Sequence, residues 1–281
     1  ATANVEAVAI GPSSIAGAYR ATALGYGANV VLTGAIFDET LAAARDFTEQ
    51  TGAVFVPPFD DMRIITGQGT VGLEILEQLD GVENVLVCLG GGGLTAGVVS
   101  AVKLKAATLC KKVNVYAVHA ENAASWPNAL AAGKPVESEI HPTIADGIAV
   151  AKPGAVPFEI VRELVDGVFT VTEDEIAQAM LAVLERSKLL VEAGGVVGVA
   201  AVMSGKVKLS GKTAIILSGG NIDPLLLQRV IRHGLAASDR YTNISVMLPD
   251  RPGQLVKTAE AVAAAQANVV EVLHTRHGNG L

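Results

Sequence analysis

Short runs rich in β-branched and aliphatic residues alternate with longer helical patterns along nearly all of this 281-residue chain. That alternation restricts the fold more than any other feature. The runs span 5–10, 28–32, 54–56, 85–89, 113–118, 168–171 and 214–217. Strands with helix-length segments between them form a mainly parallel α/β sheet with helices on both faces. Helix starts are legible too. Thr172-Glu-Asp-Glu175 has the form of a capping box, and Ile176, Met180, Val183 and Leu184 follow at helical spacing. Asp223 before Pro224 sets a capping carboxylate ahead of a proline at the first helical position.

The pattern changes near Ala237-Ser-Asp-Arg240. A new strand is expected over 244–248, then a helix, then a strand over 269–272. We place a domain boundary at about 238, with 238–281 as a small separate unit. Half of the residues are apolar and 17% are charged, enough for a large core and a smaller one. The net charge of −7 argues against nucleic acid or an anionic membrane as partner and suits an enzyme of small metabolites. Cys88 and Cys110 are too few for a disulfide framework or a zinc cluster, so a cytoplasmic location is expected. No stretch approaches the roughly 20 apolar residues of a membrane span.

The strongest chemical signal is Asn84-Val-Leu-Val-Cys-Leu-Gly-Gly-Gly-Gly-Leu94, a buried strand running through four glycines into a helix. Without β-carbons the backbone can turn several N–H groups toward one point, where the helix start adds positive potential. The natural occupant is a phosphate. Ile215-Ile-Leu-Ser-Gly-Gly-Asn221 is a second glycine loop at a strand's C-terminal end, the edge where parallel sheets bind ligands. It would present Ser218 to the same cleft. Gly91-Gly-Gly-Leu-Thr-Ala96 also satisfies a dinucleotide pattern, with Glu121 about 25 residues on, but four consecutive glycines meet that pattern almost by accident.

Together the two loops resemble those of fold-type-II pyridoxal-phosphate (PLP) enzymes, of tryptophan-synthase-β-like fold, and specifically the threonine/serine dehydratases. Further matches are Pro57-Pro-Phe-Asp60, Gly67-Gln-Gly-Thr70, Ala145-Asp-Gly-Ile-Ala-Val150 and Val191-Glu-Ala-Gly-Gly-Val-Val-Gly198, all in the family's order. The resemblance implies PLP as cofactor, with its phosphate held by Gly90, Gly91, Gly92, Gly93 and Leu94, Ser218 bonded to the pyridine nitrogen, Gly147 lining substrate and cofactor, and Glu192 beside the ring. A branched side chain at Gly92 would then occupy the phosphate position. It implies conversion of L-threonine or L-serine to 2-oxobutyrate or pyruvate plus ammonia by a homo-oligomer. Within the family's frame, 1–58 is the remainder of the small subdomain and 59–237 the large PLP-binding subdomain. Other fold-type-II activities, serine racemase or a β-replacing synthase, are the alternatives, as is a non-catalytic amino-acid sensor. Phe59, His119 and Ser125 stand where a serine racemase would carry its polar ring contact and its metal carboxylates. No metal site is therefore expected, and His119 is read as a structural histidine.

The family's early lysine, which holds PLP as a Schiff base, has no counterpart here. The first lysine is Lys103, and it, Lys105 and Lys188 are read as solvated helix residues. No catalytic residue is assigned, and the chain alone is expected to be an inactive fragment, poorly stable through exposed sheet edges. Ile244-Ser-Val-Met-Leu-Pro-Asp-Arg-Pro-Gly-Gln-Leu255 resembles the start of an ACT domain, a ferredoxin-like α+β module. That implies an amino-acid effector, isoleucine or valine, at Gly253 and Leu255, in a truncated regulatory unit.

Overall fold

The computed structural model describes residues 6–13, 17–35, 37–220, 222–238 and 240–275, the side chains of 17–19 and of 37–38 excepted. The elements run β1 (Val8–Gly11), α1 (Gly17–Gly25), β2 (Asn29–Leu32), α2 (Phe37–Thr51), α3 (Met62–Gln78), β3 (Val82–Cys88), α4 (Gly93–Thr108), β4 (Asn114–Ala120) and α5 (Ser125–Ala132). They continue with α6 (Ala155–Leu164), β5 (Gly167–Val171), α7 (Glu173–Ala182), α8 (Val197–Met203), β6 (Lys212–Ile215), α9 (Pro224–Ala237) and α10 (Gln254–Ala264). The chain divides into two compact units between Tyr241 and Thr242.

Within the first unit β1 and β2 pair in parallel, Val8 against Asn29. A second, four-stranded parallel sheet has the order β5-β4-β3-β6. Its centre is β3, which is buried on both faces, as the central strand of a helix-covered parallel sheet must be. Val85 and Val87 point into the layer formed with Val98, Val99 and Val102 of α4. Leu86 and Cys88 point the other way, against Ile176 and Met180 of α7 and Val197 and Ala200 of α8. Full burial of Val85, Leu86 and Val87 contributes roughly 1.5–3 kcal/mol each.

The glycines of Gly67-Gln-Gly-Thr70 explain how α3 sits. A β-carbon on Gly69 would lie 3.2 Å from the Gly97 carbonyl oxygen, and one on Gly97 only 2.3 Å from the Ile65 carbonyl oxygen. Helices α3 and α4 therefore cross backbone to backbone, which fixes the start of α4. The expected caps are present. Thr172 and Glu175 form the reciprocal box on α7, and Asp223 accepts from the Leu225 and Leu226 N–H groups.

Three expected strands are not strands. Residues 54–56 run into Pro57-Pro58 and lack a ladder partner among the described residues, leaving Val54 80% exposed. Residues 244–248 and 269–272 carry strand-like sequence, yet neither pairs among the described residues, and Met247 is 99% exposed. An extended segment becomes a strand only when a neighbour takes its N–H and C=O groups. The run predicted from residue 5 begins as β1 at Val8, residue 5 itself lying outside the described residues.

Candidate functional site

The chain leaves β3 for β4 and β5 on one side, then returns to β3's other side as β6. The connections on the two sides of β3 therefore diverge at the C-terminal ends of β3 and β6. Such a reversal opens a crevice at the sheet edge, the usual ligand position in open α/β folds. Both glycine loops leave the sheet there. Pairing of β3 with β6 continues past the strand, with Ile216 N–H donating to the Leu86 carbonyl at 3.0 Å. Two residues further on, Ser218 Oγ lies 3.2 Å from Cys88 Sγ.

The four-glycine loop is a two-sided object. Gly90 O accepts from the Trp126 indole N–H at 2.6 Å, Gly91 O from Gly154 N–H at 3.0 Å, and Gly92 O from Ala96 N–H at 2.8 Å. Among the described residues, none of the N–H groups of Gly91, Gly92, Gly93 and Leu94 donates a hydrogen bond. Gly91, Gly92 and Gly93 are buried. Buried main-chain N–H groups are almost always paired, so an adjacent run at a helix start without partners among the described residues has the donors and the positive potential that an anion requires. Thr95 locks its base, its hydroxyl donating to the Cys88 carbonyl at 2.7 Å.

The β-carbon positions of the glycines face protein. A β-carbon on Gly91 would lie 2.4 Å from the Phe59 ring, one on Gly93 2.9 Å from Phe59 Cβ, and one on Gly92 2.6 Å from the Trp126 ring and 2.8 Å from Pro157. This corrects the expectation for Gly92: a branched side chain there meets Trp126 and Pro157, not a phosphate. Gly92 also holds φ +100°, which L side chains rarely adopt.

Around the same crevice stand the other expected residues. A β-carbon on Gly90 would lie 3.0 Å from Ile148 Cα, bringing the segment after Gly147 against the loop. Glu192 N–H donates to Gly219 O at 3.1 Å, and its carboxylate oxygen lies 3.0 Å from a Gly147 β-carbon position. Gly195 backs directly onto the Ser218 carbonyl. The structure thus brings Gly90–Gly93, Leu94, Gly147, Glu192 and Ser218 together. Asn221, the last residue of the second loop's motif, lies outside the described residues. Gly253 and Leu255 belong to the second unit, where Gly253 caps α10 with φ +85° and Leu255 sits half-exposed on that helix.

Burial pushes the Cys88 thiol up from its ordinary pKa, the Ser218 hydrogen bond pulls it down, and the Glu192 charge pushes it up again. Cys88 is therefore a neutral thiol beside Ser218. His119, fully buried at the end of β4, is held down to about 4 by desolvation. Its Nδ1 and Nε2 are approached by the Ala120 and Ser125 N–H groups at 3.1 and 3.3 Å. Protonation would set a second ring N–H against a main-chain donor.

Lys103 is not solvated, as the sequence suggested. It donates to the Val113 carbonyl at 2.9 Å and pairs with Asp166. Those partners precede β4 and β5, so Lys103 works at the sheet's N-terminal edge, opposite the cradle. Sequence reasoning missed Phe59 as a cover, Trp126 and Thr95 as loop anchors, and Asp60, which accepts from the Ala155 and Val156 N–H groups at the start of α6. No local signal marks those pairings, for the partners of Asp60 stand 95 and 96 residues away.

A family profile described as "Pyridoxal-phosphate dependent enzyme" matches residues 1–219. The L-threonine ammonia-lyase of Geobacter sulfurreducens is 47% identical over 257 residues, covering 91% of this chain and 63% of that protein. The L-threonine ammonia-lyase of Thermotoga maritima is 47% identical over 251 residues, covering 89% of this chain and 61% of that protein. This chain thus spans somewhat less than two thirds of the length of either. The structure of the processed form of threonine deaminase isoform 2 from Solanum lycopersicum superposes with a TM-score of 0.75 at 33% identity, over 82% of this chain and 67% of that one.

Proposed function

The chain belongs to the pyridoxal-phosphate dependent enzyme family, and on that premise we propose that it is the cofactor-binding part of an ammonia-lyase. The reaction converts L-threonine to 2-oxobutyrate and ammonia, and L-serine to pyruvate and ammonia. One observation carries the reading: four adjacent N–H groups without partners among the described residues and the Ser218 hydroxyl, held beside Cys88, stand at one sheet edge at the strand-order reversal.

The residues fit the cofactor at both ends. The N–H groups of Gly91 to Leu94 suit a phosphate dianion, while Ser218 suits a pyridine nitrogen. When bound, PLP supplies an electron sink for charge developing at the substrate's α-carbon. The chain's own contribution is to hold and orient. A hydroxyl at the ring nitrogen leaves that nitrogen largely unprotonated, in keeping with elimination of the β-hydroxyl rather than amino-group transfer. The exposed main chain at Gly147 borders the space left for substrate, and Glu192 keeps that segment and Gly219 apart. Lys103 is excluded as the covalent anchor by its place at the opposite edge.

Residues 1–58 are read as part of the small subdomain, 59–237 as the large one, and 238–281 as part of an ACT unit taking an aliphatic amino acid at Gly253 and Leu255. The assembled enzyme is read as a cytoplasmic homo-oligomer. Among the described residues no helix is long and apolar enough to cross a membrane.

The test is to express the gene from its own start and incubate the product with PLP and L-threonine. Equal amounts of 2-oxobutyrate and ammonia are expected. Recovery of the D-enantiomer without ammonia would instead identify a racemase, and no turnover of either kind with PLP bound would refute a lyase.

A further inference from the structure

We propose that Trp126 is a positioning residue for the phosphate cradle: its indole N–H aims the Gly91 N–H at the bound phosphate and so sets the preference for a phosphorylated cofactor. The inference rests on the reading of the cradle given above and adds a side chain to it.

The reasoning starts from peptide geometry. In a trans peptide unit the C=O of one residue and the N–H of the next lie in one plane and point in opposite directions. Holding a carbonyl on one side of a loop therefore aims the following N–H at the other side. Gly90 O is held by Trp126, Gly91 O by Gly154 N–H and Gly92 O by Ala96 N–H. The three anchors aim the N–H groups of Gly91, Gly92 and Gly93 respectively, the groups without partners among the described residues. Two of the anchors are main chain. Trp126 is the anchor that belongs to a side chain, and so the one that depends on residue type.

The setting suits that task. Trp126 is fully buried, and its ring stacks on Phe158 with centroids 5.9 Å apart and 28° between planes. Its carbon edge fills the β-carbon position of Gly92 at 2.6 Å. The indole is thus wedged between α6 and the loop, with no freedom to follow the Gly90 carbonyl should the loop turn. Phenylalanine would keep the stack and much of the wedge but could not donate.

An indole N–H that merely satisfies itself in the core would leave ligand choice untouched, and the experiment separates the two roles. Pyridoxal 5'-phosphate, pyridoxal and inorganic phosphate are titrated by equilibrium dialysis into the 281-residue chain and into its Trp126→Phe variant. The variant is expected to bind pyridoxal phosphate and inorganic phosphate about tenfold more weakly, the worth of one ordinary hydrogen bond. Its affinity for pyridoxal should stay within about twofold. Equal weakening toward all three ligands, or weakening toward none, would overturn the proposal. Should the unmodified chain bind pyridoxal phosphate no better than pyridoxal, the cradle reading itself is wrong, and this inference goes with it.

A second measurement needs no variant. Trp126 is the single tryptophan of the sequence, so its emission reports on the loop alone. Saturation with inorganic phosphate should shift or quench that emission. Unchanged emission while dialysis shows phosphate bound would equally overturn the proposal.

Discussion

Replacing Gly92 by alanine tests whether the loop is shaped by protein or by ligand. The substitution imposes two costs that are visible in the free chain. Gly92 holds φ +100°, and an L residue in such a conformation costs on the order of 1–3 kcal/mol. The new β-carbon would also stand 2.6 Å from the Trp126 ring and 2.8 Å from Pro157 Cβ, contacts that real β-carbons do not make. Both neighbours are held, Trp126 by its stack and its bond to Gly90, Pro157 by its place in α6. Overpacking of that kind costs roughly 1–3 kcal/mol. The sum is roughly 2–6 kcal/mol, or roughly 4–24 °C in melting temperature for a unit of this size. Circular dichroism melts without any cofactor provide the assay. Gly25→Ala is the control, because Gly25 ends α1 with nothing among the described residues within 4 Å of its β-carbon position. Alanine there should change the melt by no more than about 1 kcal/mol equivalent. If Gly92→Ala melts with the unmodified chain in the absence of cofactor, the β-carbon side of the loop is open and the packing account is wrong.

Ser218→Ala should leave the melt nearly unchanged and lower turnover of the assembled enzyme; undiminished turnover would remove Ser218 from the ring nitrogen. A thiol reagent at neutral pH should modify exposed Cys110 quickly and buried Cys88 only on unfolding; two fast thiols per chain would contradict the neutral, enclosed Cys88. His119, held from 6.5 down to about 4 by burial, contributes roughly 3 kcal/mol that is full above pH 6.5 and lost as pH falls toward 4. The unfolded chain binds the extra proton across that window, so stability rises with pH there. Urea midpoints at pH 7 and pH 4.5 should therefore fall more in the unmodified chain than in His119→Gln, and equal falls would show that the ring is not the titrating group.

What the sequence makes legible is what neighbours along the chain decide. The strand–glycine–helix succession over 84–94, the Thr172–Glu175 box and the Asp223 cap each depend on residues within about ten positions, and each stands in the structure. The segments 54–56, 244–248 and 269–272 have the same local character as the true strands. They lack a ladder among the described residues, and a ladder is a property of two segments rather than one. The contact between Cys88 and Ser218 spans 130 positions and exists because β6 returns to β3's free side. Nothing in either loop alone specifies that order.

The glycine loop shows why even a correct local reading misassigns causes. Four glycines suggest room for a ligand on the side where β-carbons would be. The structure gives that room to Phe59, Trp126 and Pro157 instead. These side chains press on the β-carbon side, while Trp126 and the Gly154 and Ala96 N–H groups hold the carbonyls, so the following N–H groups are aimed away from those anchors. Glycine is therefore required here twice over, once for close packing and once for an aimed backbone. The two requirements separate by experiment: alanine at Gly91, with 2.4 Å to the Phe59 ring, should destabilise the fold with no phosphate present, whereas loss of the Trp126 donor should weaken phosphate binding in a chain that still folds.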